Sequence, residues 1–277
     1  MNTNKENIVY HYCDLSTALS ILKTKQLRLT SIRNLNDTYE EIGIYKLFCK
    51  FLKEYDKEQR LNKFLELSDT SGCFQLYNNC LGAYPYYISC FSKEEDSVSQ
   101  WNSYADNGNG VALGFDLSQF MLLQKEGILK CFDVNYLNDN DIKSEIPNIY
   151  SSLIMNIEHS EWSMMDRFME IMHYKYGNPE RYKLYHYESE KEFRIIYEYN
   201  NGGTKELNEW KIGEQEVYAR RNCLNTYVPL SFPQEAIKSI MLGPMYRRNY
   251  CEIEFALEAL GYIGIEIDES TSGFRTV

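Results

Sequence analysis

No two of the eight cysteines, at 13, 49, 73, 80, 90, 131, 223 and 251, are spaced C-x-x-C. That absence excludes a zinc ribbon and a thioredoxin-like redox centre. Cys13, Cys90 and Cys131 lie in apolar, strand-like text and read as small buried hydrophobes. His159, His173 and His186 show no mutual spacing suited to a metal ion, so they read as structural and no metal site is expected. No glycine-rich phosphate loop follows a strand; "GNG" at 108–110 lacks the third glycine and the helix of a dinucleotide fingerprint. Long apolar runs are missing too, and the opening MNTNKENIVYHYC has no signal-peptide core. A reduced, cytoplasmic protein without a membrane partner is the expectation. Basic charge is in deficit: 29 Lys and Arg against 40 Asp and Glu give a net charge of −11. Non-specific grip on duplex nucleic acid needs a basic surface, and only Arg220-Arg221 and Arg247-Arg248 form tight arginine pairs. There is no internal repeat, low-complexity segment or Pro/Gly-rich linker, so one domain over residues 1–277 is expected.

What is present is a chain of ordinary globular make-up, with 44% hydrophobic and 25% charged residues, but rich in tyrosine, of which there are 24. Tyrosine offers large contact area with a polar tip, which suits rings lining a groove. "IVYHYC" (8–13) reads as a strand, followed by a helix capped by Asp14. Further strands are expected at 27–32, 86–91, 111–117, 127–137, 189–198, 206–212, 225–230, 237–243 and 263–267. Helices are expected over 42–67, from 139 to about 176, and over 246–260. In the second of these, Leu153, Ile154, Ile157, Met164, Met165 and Phe168 read as core. Strands and helices mix without a regular βαβ rhythm, so the fold class is α+β.

Four short stretches stand out. "VYHYC" places His11 between two tyrosines on a strand, and "YISCFS" ends a strand with Ser89, Cys90 and Ser92. "SQWNSYADNGNGVALGF" sets Trp101 and Tyr104 three apart, neighbours on one helical face. "SEKEFRIIYE" (189–198) puts Glu190 and Glu192 at the mouth of an apolar strand. On a strand they point to one side, where like charges repel and raise each other's pKa. A solvated strand end, balanced by Arg194, is the plain explanation; a catalytic carboxylate with a helper is the sharper one. Asn36, Asp37 and Glu40 read as a helix cap or as residues ordering a cleft.

In order and content these stretches resemble the ADP-ribosyltransferase superfamily, and in particular an uncharacterised bacterial branch associated with toxins and phage defence. That branch reads Y-H-Y, N-D-x-x-E, S-C-F-S, W-x-x-Y-x-x-x-G-x-G-x-A-x-G-F and K-E-[FW]-R, and the resemblance runs over about residues 8–270. It implies a single domain whose curved, split mixed β-sheet forms a cleft for NAD, with helical insertions near 37–67 and 139–176. It also implies that His11 holds the adenosine or pyrophosphate side of NAD and that Ser89, with Ser92 nearby, shapes the nicotinamide pocket. Glu192 then supports the transition state and Glu190 serves as a second acid steering the acceptor. Tyr12, Trp101 and Tyr104 are candidates for stacking on nicotinamide or adenine. The first motif offers His in place of Arg, and the middle one S-C-F-S in place of S-T-S. The implied activity is mono-ADP-ribosyl transfer from NAD to a protein or nucleic-acid acceptor, by a toxin or defence effector with an antitoxin or regulatory partner. The alternatives are NAD hydrolysis and a non-catalytic module binding a nucleotide or a partner.

Overall fold

The computed structural model describes residues 7–32, 38–70, 86–155, 167–168, 170–171, 181–199, 205–220, 223–246 and 250–273. Asn36, Asp37, Cys73, Cys80, His159, His173, Arg221, Arg247 and Arg248 lie outside them, as do the side chains of Glu40 and Arg220. The chain divides into two compact units, one of Met1–Asn34, Tyr86–Asp133 and Ser189–Val277, the other of Leu35–Pro85 and Val134–Glu188. Both stretches expected as helical insertions fall in the second unit.

The strands in chain order are β1 (Ile8–Cys13), β2 (Gln26–Ser31), β3 (Tyr86–Ser92), β4 (Val111–Asp116), β5 (Lys130–Asp133), β6 (Asn135–Leu137) and β7 (Tyr182–Leu184). They continue as β8 (Glu192–Glu198), β9 (Glu206–Leu207), β10 (Trp210–Ile212), β11 (Glu216–Arg220), β12 (Cys223–Ser231), β13 (Ile237–Leu242) and β14 (Glu266–Glu269). The helices are α1 (Leu15–Thr24), α2 (Thr38–Tyr55), α3 (Asn62–Thr70), α4 (Val98–Tyr104), α5 (Leu117–Lys125), α6 (Asp139–Ile154) and α7 (Tyr250–Ala259). The fold class is α+β, as the mixture of periods predicted.

In the first unit, twelve strands of the described residues make one sheet in the order β14-β13-β4-β1-β3-β2-β12-β10-β9, with β11 added on β12, β8 added on β3 and β5 added on β8. β14 runs parallel to β13 while the other pairs are antiparallel, so the sheet is mixed. Alternation divides each strand between two faces. On one face Val9, Cys13, Tyr87, Phe91, Leu113, Phe115, Phe193 and Ile195 join one core, which α1 and α5 complete with Ile21, Leu22, Phe120 and Leu123. On the other, Ile8, Tyr10, Tyr12, Ala112 and Met241 form a smaller cluster under Trp101 and Ala105. Cys13 and Cys131 are buried as expected, and Cys90 is half-buried.

The centre of this sheet is β3, which takes part in three pairings. Its whole length from Tyr86 to Ser92 pairs with β8. That occupies one edge, so the other is shared: Tyr87 and Ile88 pair with Ser31 and Thr30 of β2, and Ser92 pairs with Tyr10 of β1. The sheet therefore forks between Ile88 and Ser92. Asp14 caps α1 as expected, accepting from the Thr17 amide at 2.8 Å. Lys25, at φ 54°, then ends α1 and turns the chain into β2.

In the second unit the expected single helix over 42–67 is two helices, α2 and α3. The break is made by Asp56, a buried carboxylate that accepts from the Arg60 amide at 3.0 Å, the Leu61 amide at 2.6 Å and the Tyr150 hydroxyl at 3.0 Å. With Gln59 at φ 57°, these bonds favour a turn over continued helix. The strand expected at 127–137 is likewise two: β5 pairs with β8, whereas β6 pairs with β7 in the second unit. Phe168 packs against Tyr45 and Phe64, as a core residue should, while Ile157, Met164 and Met165 lie outside the described residues.

"GNG" 108–110, excluded as a phosphate loop, is a turn that the end of β13 docks on. Gly243 and Met245 donate their amides to the carbonyls of Gly110 and Gly108 at 3.0 and 2.9 Å. A Cβ on Gly110 would sit 2.2 Å from the Cys13 carbonyl oxygen and 3.0 Å from that of Ala105. Gly110→Ala is therefore expected to destabilise the protein by about 1–3 kcal/mol, since backbone must shift to admit the methyl. The unfolding midpoint in urea measures it, and an unchanged midpoint would contradict this packing.

Candidate active site

Glu192 opens β8 opposite Ser92 of β3, so the two side chains leave the sheet on the same face. Glu190 does not belong to the strand. It ends a 3-10 turn, Tyr185–Glu190, and Lys191 at φ 40° reverses the backbone before β8 begins. The expected two-residue strand repeat is thus corrected: a left-handed residue, not strand alternation, sets the direction of Glu190. Ser92 holds this turn in place, donating its Oγ hydrogen to the Glu190 carbonyl at 2.7 Å and accepting from the Glu94 amide at 3.1 Å.

The plain explanation of a solvated strand end does not survive. Glu190 is 8% exposed and Glu192 6%. Arg194 does balance Glu192, but inside the sheet, with its Nε 2.6 Å from Oε1 and its Nη2 3.0 Å from Oε2. Two buried carboxylates one residue apart need such compensation, because burial of unpaired charge costs several kcal/mol. Tyr104, at the end of α4, donates its hydroxyl to Glu190 Oε1 at 3.4 Å, and its ring is 42% exposed. Lys191 reaches back to Glu94 at the surface, and the Lys93 amide donates to the Lys191 carbonyl at 2.9 Å.

Tyr12 and Trp101 support this site by packing. Trp101 is 0% exposed, meets Tyr12 edge-on at 4.7 Å and donates its indole hydrogen to Asp96 at 2.7 Å. Neither ring face is open to a stacking ligand, which corrects that expectation for Trp101. Tyr12 donates to the Glu94 carbonyl at 2.7 Å and accepts from the Ser97 amide at 3.0 Å, so loop 93–97 is stitched to β1. Asp96 anchors the same loop to residues 270–271. Burial alone would raise its pKa, but hydrogen bonds from Ser270, Trp101 and Thr271 outweigh that and hold it below the usual carboxylate range.

His11 and Ser89 are placed elsewhere. Both leave the sheet on the opposite face, His11 against Phe91 at 5.5 Å and Ser89 between Tyr87 and Phe91 along β3. His11 Nδ1 lies 3.0 Å from the Cys90 carbonyl, so Nδ1 carries the hydrogen. That carbonyl sits where β1 and β2 part from β3, and the imidazole supplies a bond there. The residues brought together are thus Glu190, Glu192, Ser92 and Tyr104, with Tyr12 and Trp101 in the core cluster that holds the loop following Ser92. Asp96 and the Ser92 link to the Glu190 turn escaped the reading of the sequence. The only local signals were an aspartate ahead of α4 and a serine at a strand end, neither distinctive.

Residues 100–195 match a family model described as a protein of unknown function (DUF2971). The match includes Trp101, Tyr104, Glu190, Glu192 and Arg194 and leaves out His11, Ser89 and Ser92. No curated protein and no solved structure matches the chain. Among the described residues no helix is long and apolar enough to cross a membrane, and no three His, Cys, Asp or Glu are grouped to hold a metal ion.

Burial pushes the His11 pKa below its ordinary value, partly opposed by the bond to Cys90, so the folded state favours the neutral ring. The unfolded chain takes up this proton near pH 6.5. The stability tied to the neutral ring is therefore complete above that pH and is lost as pH falls through the lowered folded value. His11→Gln should be less stable than wild type at pH 7.5, with the gap in urea midpoints narrowing at pH 5. A gap that stays constant would show that His11 does not titrate in this way.

Proposed function

We propose that the chain is an NAD-dependent mono-ADP-ribosyltransferase acting on a macromolecular acceptor, protein or nucleic acid. The observation that carries this reading is the pair Glu190 and Glu192, buried beside Ser92 and Tyr104 at the end of a β-strand that borders a forked sheet. The split sheet and the order of motifs support the same fold type.

The donor set suits NAD at its nicotinamide end. NAD brings a leaving group that is already cationic and departs with the bonding electron pair as neutral nicotinamide. Little acid catalysis is needed; what helps is a fixed anion beside the ribose carbon in a partly dry site. Glu192, held rigidly at the start of β8, is the residue for that task. Glu190 is the acid to take the proton released when an acceptor nucleophile bonds to that carbon. Ser92 positions the turn that carries Glu190, and Tyr104 is the aromatic surface at the rim. His11 and Ser89, on the far face, serve the reading through the fork itself and through the strand that carries Ser92. In a cell this activity fits a toxin or defence effector kept in check by a protein partner.

Purified protein incubated with labelled NAD and cell lysate should pass label to a macromolecule. Glu192→Gln should reduce NAD consumption by about 100–1,000-fold, the usual cost of one transition-state electrostatic contact. Glu190→Gln should impair transfer more than nicotinamide release. Release of free ADP-ribose with no labelled macromolecule would replace transfer by hydrolysis, and no NAD consumption at all would refute both.

A further inference from the structure

Arg194 follows Glu192 by two residues on β8, so both side chains rise from one face of the strand. The guanidinium meets the carboxylate as a fork, with contacts of 2.6 and 3.0 Å from Nε and Nη2 to separate oxygens. Both side chains are nearly out of reach of water, at 5% and 6% exposure. Arg194 stands between Cys90 of β3 and Phe132 of β5, its partners across the sheet. An exposed ion pair contributes little, but one this buried fixes geometry as well as charge. A carboxylate in this setting would lose its charge without a cation to offset desolvation. A lysine in place of the arginine would supply the charge but not the planar fork.

We propose that Arg194 is a positioning residue: its two-point grip holds Glu192 as a charged carboxylate in one rotamer, and so divides the labour of the two glutamates. This rests on the transferase reading above. A carboxylate paired in this way has a weak field at a distance, because the guanidinium cancels it. Glu192 then acts only on a group in direct contact, such as a ribose hydroxyl, and must be placed to within a fraction of an ångström. Glu190, carried by the 3-10 turn and touching Tyr104 at the rim, is then the residue to accept the proton of an acceptor. Arg194 touches neither substrate in this scheme and works through Glu192.

The test measures NAD consumption and thermal unfolding of the full chain as wild type, Arg194→Gln, Arg194→Lys, Glu192→Gln and the Glu192→Gln/Arg194→Gln double variant. Arg194→Gln should lower kcat by about 100-fold, the scale of a misplaced reacting group, with KM for NAD changed less than about threefold. Arg194→Lys should recover part of kcat, and the double variant should be no slower than Glu192→Gln alone. Wild-type turnover with Arg194→Gln within about threefold of it would overturn the proposal and leave the transferase reading standing. A loss seen equally in Arg194→Lys, and matched by loss of the folded state at the assay temperature, would show a structural role and also overturn it. Absence of NAD consumption by the wild type would overturn the reading, and the proposal with it.

Discussion

A β-strand has two edges, and β3 serves three neighbours. β8 takes one edge in full, so β1 and β2 divide the other, and the sheet has to open between them. Most features of the site answer to that constraint. Backbone groups at the parting lose the regular ladder and need other partners. The Cys90 carbonyl receives one from the His11 ring, and Ser92, the last residue of β3, spends its hydroxyl on the incoming 3-10 turn and the outgoing loop. His11, a candidate dinucleotide ligand by sequence, thus bonds the backbone at the parting itself.

The second consequence is charge. β8 pairs with β3 from its first residue and with β5 from Phe193 onward, and that first residue, Glu192, is buried. A glutamate there is costly unless compensated, and Arg194 compensates from the same strand face. The neighbouring loop is pinned by side-chain bonds. Tyr12 grips it at Glu94 and Ser97, Trp101 and residues 270–271 bind Asp96, and Lys191 closes the far side on Glu94.

Period-two and helical patterns were enough to place β1, β3, β4, β8 and α1, because those segments bury two faces or carry a clear cap such as Asp14. What the pattern missed has physical causes. The break between α2 and α3 depends on Asp56 bonding to amides and to Tyr150, ninety-four residues away, and such a partner leaves no local mark. Among the described residues β11 is a hairpin arm paired only with β12, with Val217 exposed, so its alternation is weak. Glu190 was misassigned to the strand because nothing about a lysine announces φ 40° at Lys191. The candidate site was legible as a set of residue types, but not as two faces of a sheet, since alternation gives relative facing within a strand and says nothing of which strands become neighbours.

That distinction changes what the two glutamates can do. Had both stood on one strand, they would be near-equivalent acids sharing one environment, and their mutual repulsion would dominate. Instead one is fixed by a strand and a guanidinium, while the other is carried by a turn whose direction depends on Lys191 and whose position depends on the Ser92 hydroxyl. Rigid placement favours stabilising charge at a defined atom, where geometry decides the energy. Placement on a turn, beside a half-open tyrosine, is what the proposed transferase reading uses for proton transfer from an acceptor. The single intervening lysine therefore does more than space the pair, because its left-handed backbone is what sets two like residues, so close in sequence, on different elements.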